Sequence, residues 1–109
     1  MALRTVICDL LGVDHPVLLA GMGGVSYAEV CAAVSDAGGF GSLGMAGLPP
    51  KFIADQMARV KDLTDKPFGV NLTFLPSVTP PDYPGLIKSI IEGGVKVVET
   101  AGNNPATVQ

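Results

Sequence analysis

Asn71 and Thr73 stand two residues apart at the end of an apolar run, so on an extended chain both side chains point the same way. They supply neutral hydrogen-bond donors and acceptors. Such a pair suits the alternating donor and acceptor edge of a heteroaromatic ring better than it suits a metal cation. A second stretch, Gly21-Met22-Gly23, follows the apolar run Val17 to Ala20 and offers bare backbone that approaches a planar ligand with no Cβ in the way. Met22 and Met45, each preceded by glycine, are adaptable side chains that would line a ring pocket or fill gaps in a core. Each group also has a plainer role: Asn71 and Thr73 would finish a strand, and the glycines would only turn the chain.

The other chemically capable residues are scattered. His15 is the single histidine, and it precedes an apolar run, which puts it at the opposite end of a strand from a ligand-binding rim. Asp36 falls near a helix end, and Glu99 alternates with Thr100, so Thr100 is expected at the rim and Glu99 toward the helices or outside. No two carboxylates share an evident site, and no residue is assigned a catalytic role. Cys8 and Cys31 are the two cysteines, with no second pair to build a zinc site or a disulfide framework. Gly38-Gly39-Phe40-Gly41 lies between a helix and a strand, the wrong order for a phosphate cradle.

These groups need elements to position them, and the chain supplies a rhythm. Val17 to Ala20 is an apolar run of strand length without polar alternation, as in strands covered on both faces, and Phe40 to Leu43, Phe68 to Leu72 and Val95 to Thr100 read as the second, third and fourth strands. Helix patterns separate them. Ser26 and Glu29 have capping-box spacing, followed by a stripe at Val30, Ala33, Val34 and Ala37 that stops at Gly38-Gly39. Pro49-Pro50 begins a second helix with Ile53, Met57, Val60 and Leu63 on one side. Thr79 to Asp82 is a turn-rich linker before a third stripe, Leu86, Ile87, Ile90 and Ile91, closed by Gly93-Gly94. Thr5 to Leu11 reads as a short amino-terminal helix that plugs or flanks the assembly, with Thr5 as its cap and Gly12 past its end. His15-Pro16 forces extended backbone ahead of the first strand.

Strand and helix alternate throughout, the pattern of consecutive βα units on a parallel sheet. The fold class is therefore α/β, with about four units of a (β/α)8 barrel. A complete barrel needs about 250 residues and the chain has 109, so residues 1–109 read as the amino-terminal part of one barrel domain. The formal charge is −3 and the seven Lys and Arg are dispersed, which excludes the basic footprint of a nucleic-acid binder. No stretch reaches the roughly 18 apolar residues of a membrane span, and Asp9 interrupts the apolar amino end, so a cytoplasmic setting is expected. A partial barrel also leaves an open sheet edge, through which self-association is expected.

Four segments carry a resemblance to a known family: HPVLLAGMGGVS from His15, AGGFGSLG from Ala37, LTDKPFGVNLT from Leu63 and VVETAGN from Val97. In this order and spacing they resemble the amino-terminal third of the nitronate monooxygenases, formerly called 2-nitropropane dioxygenases. The resemblance implies an FMN-dependent barrel that oxidises alkyl nitronates with O2 to carbonyl compounds and nitrite. It also implies that Gly21, Met22 and Gly23 lie along the flavin and that Asn71 and Thr73 contact it. The family's catalytic histidine and FMN phosphate site are expected beyond residue 109, so His15 does not take the histidine's role. Many members carry proline where this chain has Gly21, and alanine or glutamine where it has Gly23. The related flavin-dependent enoyl-acyl-carrier-protein reductases share the barrel and parts of these motifs, and remain the alternative.

Overall fold

Residues 3–45, 47–74 and 83–102 are described in the computed structural model, which has the order α1 (Val6–Leu11), α2 (Ala28–Asp36), β1 (Gly41–Gly44), α3 (Pro50–Leu63), β2 (Phe68–Phe74), α4 (Tyr83–Glu92) and β3 (Val98–Gly102). The linker at 79–82 and the loop after Gly102 lie outside the described residues. β1, β2 and β3 form one sheet in sequence order, and both pairings are parallel. Leu18 adds to the outer side of β1 through a single parallel bridge to Phe40. Phe40 N–H donates to Val17 O at 2.8 Å and Leu19 N–H to Phe40 O at 2.9 Å, so the expected first strand occupies its place without extending into a ladder. This is a partial barrel of the α/β class, with the short helix α1 ahead of it.

The core lies between one face of the sheet and helices α2, α3 and α4. Leu43, Val70 and Leu72 come from the sheet, Ile53, Met57 and Val60 from α3, and Leu86 and Ile90 from α4. The stripes expected on α3 and α4 face this core, except that Leu63 and Ile91 at their ends are exposed. Met45 is fully buried in the same core, so it fills space there and lines no ring pocket.

α2 departs from the sequence reading. Its buried residues are Ala28, Cys31, Ala32 and Ser35, whereas Val30, Ala33 and Ala37 are exposed and Val34 is half-buried. The small side chains win because the helix backbone lies directly on β1: a Cβ at Gly41 would fall 2.1 Å from Cys31 O. A face of valines cannot come that close. Ser35 Oγ completes the seam, accepting from Gly41 N–H at 3.0 Å and donating to Pro67 O at 2.8 Å.

The capping box does not form either. α2 begins at Ala28, and its first N–H is satisfied by Gln56 Oε1 of α3 at 3.0 Å. Glu29 turns outward to Arg59 at 2.7 Å, and its own backbone N–H together with Arg59 holds its carboxyl below the usual value. Thr5 occupies the cap position of α1 without a side-chain cap bond, and Gly12 ends that helix at φ +73°.

On the other face of the sheet, α1 covers the amino ends of the strands. Cys8 and Val13 pack with Phe40 there, and Ile7, Leu11 and Val97 border them. The first helix therefore plugs the end of the sheet opposite the glycine loop. Val95 is buried ahead of β3, whose ladder begins later than the apolar run suggests.

Candidate functional site

Parallel order puts the carboxyl ends of β1, β2 and β3 at one rim, and the turn after Leu18 and Leu19 reaches the same rim. Gly21, Met22, Asn71 and Thr73 converge there, whereas Met45 does not. Gly21 lies so close to β2 that a Cβ on it would fall 2.3 Å from Asn71 Cβ and 2.6 Å from Asn71 Cγ. Asn71 is 4% exposed, and Thr73 Oγ1 donates to its Oδ1 at 3.1 Å. That bond fixes the amide plane and leaves its nitrogen as the donor end. Tyr83 Oη donates to Thr73 O at 2.8 Å and its ring meets Phe74 at 4.8 Å, so α4 anchors the end of β2.

The loop itself is built by Ser26. Its Oγ accepts from Met22 N–H at 2.6 Å and donates to Met22 O at 3.1 Å, which explains why a serine placed like a cap is fully buried. Ser26 O also accepts from Gly44 N–H at 2.9 Å, fastening the loop to the end of β1. Gly21 and Met22 both spend their amides on partners within the chain, Gly21 on Glu99 and Met22 on Ser26. Gly23 and Gly24 are exposed, a Cβ on either would meet nothing within 4 Å, and Met22 presents a partly exposed side chain beside them. The loop offers a flat, unobstructed surface at Gly23 while Gly21 serves loop-to-strand packing.

Strand register corrects the assignment on β3. Asn71 pairs with Glu99 and Leu72 with Thr100. Paired residues share a face, so Glu99 stands beside Asn71 and Thr100 lies on the side of buried Leu72, toward the helices. Glu99 Oε2 accepts from Gly21 N–H at 3.2 Å and from Ser42 Oγ at 3.3 Å. Alternation alone did not reveal this, because it states that Glu99 and Thr100 differ without saying which faces inward. The carboxylate belongs to the rim that Thr100 was expected to join.

Below the rim, a cavity of about 330 Å3 runs down the inner face. Leu19, Ala20, Ser42 and Glu99 line its upper part, and Phe40 and Ile7 its floor. His15 and Asp36 contribute nothing at this rim: His15 packs over Gly38, and Asp36 accepts from Thr64 Oγ1. Cys8 and Cys31 are buried free thiols, and burial pushes Cys31 up to about 12. Among the described residues no group of three potential ligands could hold a metal ion, and no helix is long and apolar enough to cross a membrane.

The nitronate monooxygenase family matches residues 4–104, nearly the whole chain. The chain belongs to that family. It is 38% identical over 101 residues to a Mycobacterium tuberculosis protein named (3aS,4S,5R,7aS)-5-hydroxy-7a-methyl-1-oxo-octahydro-1H-indene-4-carboxyl-CoA dehydrogenase, covering 93% of this chain and 27% of the relative. It is 46% identical over 63 residues to a nitronate monooxygenase of Pseudomonas aeruginosa, covering 58% of this chain and 18% of the relative. The structure of FabK from Thermotoga maritima superposes with a TM-score of 0.89 at 37% identity, over 97% of this chain and 33% of that one. The chain spans about a quarter of the first curated relatives.

Proposed function

We propose that the rim formed by Gly21, Met22, Gly23, Asn71 and Thr73 binds the isoalloxazine ring of FMN, within a single barrel domain of an FMN-dependent oxidoreductase that converts alkyl nitronates and O2 to carbonyl compounds and nitrite. The observation that carries the reading is the contact between the Gly21 backbone and the Asn71 side chain. It joins a bare-backbone surface to a neutral, oriented amide at one end of a parallel sheet, where α/β proteins hold ligands. The donor set fits the group: a uracil-like ring edge accepts from an amide nitrogen held in plane by Thr73, and the exposed backbone at Gly23 leaves room for a ring face.

FMN, when bound, supplies the electron acceptor and the means of reducing O2. The residues of this chain bind and orient. Asn71 presents its amide, Thr73 fixes the plane of that amide, and Met22 gives an apolar surface at the loop. No proton transfer is assigned to these residues.

The test is a flavin absorbance spectrum of the purified protein together with nitrite release from propionate 3-nitronate or the 2-nitropropane anion. Asn71→Ala is expected to weaken FMN binding about tenfold, which corresponds to about 1.4 kcal/mol. Unchanged flavin content and turnover in that variant refutes the assignment. NAD(P)H oxidation driven by an enoyl thioester, without nitrite release, replaces it with the reductase reading.

A second, non-catalytic reading rests on the half-barrel edge. Val17 and Leu18 are 60% and 53% exposed and bridge only to Phe40 among the described residues. Such an edge favours self-association through further strand pairing.

A further inference from the structure

We propose that Glu99 is a positioning residue that presets the glycine loop by holding the Gly21 amide. Its carboxylate starts on β3, two strands away from β1, yet Oε2 receives both Gly21 N–H at 3.2 Å and Ser42 Oγ at 3.3 Å. Between them β2 presents Gly69, in register with Ser42, and the Phe40 ring fills the space above that glycine, 2.9 Å from where a Cβ would fall, so the carboxylate crosses above the ring. One carboxylate therefore joins β3, β1 and the loop across the cavity beneath the rim. The bond also acts on the loop at the residue whose backbone rests against Asn71.

Two consequences follow. Glu99 sets the distance between the loop and β2, and so the spacing of the two groups proposed to hold a planar ring. It also depends on an N–H at position 21, which a proline there would lack, so this link belongs to chains with Gly21 or another N–H donor at that place. The inference concerns the loop geometry, and only its flavin arm rests on the function proposed above.

The experiment compares the wild type with Glu99→Ala, Glu99→Asp and Glu99→Gln by amide hydrogen exchange, with the Val70 amide, bonded to Val97 O, as the internal reference for global stability. Glu99→Ala and Glu99→Asp, the latter charged but one methylene short, are expected to speed exchange at Gly21 about tenfold relative to Val70. Glu99→Gln keeps an acceptor at the same reach and is expected to stay within about threefold of the wild type. FMN affinity follows the same order, with the alanine and aspartate variants about tenfold weaker. Unaltered Gly21 exchange in the alanine and aspartate variants overturns the proposal. A glutamine variant as fast as the alanine one also overturns it, because charge and not hydrogen-bond acceptance would then set the loop. If the alanine variant fails to fold, the aspartate and glutamine pair decides. If the wild type binds no flavin, the proposed function fails while the exchange pattern still judges Glu99.

Discussion

Replacing Gly21 by alanine tests the rim geometry most directly. The new Cβ would sit 2.3 Å from Asn71 Cβ and 2.6 Å from Asn71 Cγ, where carbon atoms settle at about 3.5 to 4.0 Å. Loop and strand must therefore separate by more than about 1 Å. Asn71 cannot yield readily, being buried, bonded to Thr73 and in register with both Gly44 and Glu99. The loop must move instead, against the Met22 and Ser26 bonds. Overpacking of this kind costs about 1 to 3 kcal/mol. The backbone at Gly21 is not left-handed, so alanine also restricts the unfolded chain and returns about 0.4 to 1 kcal/mol. The steric term is the larger, giving a net loss of about 1 to 2 kcal/mol by urea unfolding. A double-mutant cycle sharpens the test. Asn71→Gly removes the atom at 2.3 Å and is expected to recover about 1 kcal/mol as coupling, whereas Asn71→Ala keeps that atom and recovers much less. A Gly21→Ala protein as stable as the wild type, or equal coupling for the two Asn71 variants, refutes the reasoning.

Other outcomes follow from the same structure. Ser26→Ala removes the partner of the part-buried Met22 N–H and is expected to cost about 0.5 to 1.5 kcal/mol while also weakening FMN binding, a pairing that a mere helix cap would not produce; denaturation and flavin titration of the same sample check it. Burial raises Cys31 from 9.0 to about 12, so the folded state keeps a proton that the unfolded chain loses across that window. Its contribution to stability is therefore fully present below pH 9.0 and lost as pH rises toward about 12, at up to about 1.4 kcal/mol per pH unit. Cys31→Ala is expected to flatten the alkaline limb of stability against pH, and an unchanged limb contradicts this. Light scattering of the purified protein is expected to show a species larger than one chain if the Leu18 edge pairs, and a monomer at all concentrations dismisses the association.

Some of this molecule is local in origin and could be read along the chain. The apolar runs, the glycines that end helices at Gly12 and Gly38, and the proline start at Pro50 depend on nearest neighbours and backbone sterics. So the order of strands and helices, the parallel sheet and the partnership of the Gly21 loop with Asn71 were legible. The inward stripes of α3 and α4 were legible too, but the faces that α2 and β3 turn inward were not, because they are settled by contact between elements distant in sequence. Close approach of α2 to Gly41 selects Cys31 and Ser35 over Val30 and Val34, and Gln56 from α3 replaces the local cap that Ser26 and Glu29 suggested. Strand register, set by the whole sheet, puts Glu99 beside Asn71 and sends Thr100 to the helices. Periodicity fixes which residues travel together, but only packing against a partner fixes the direction in which they point.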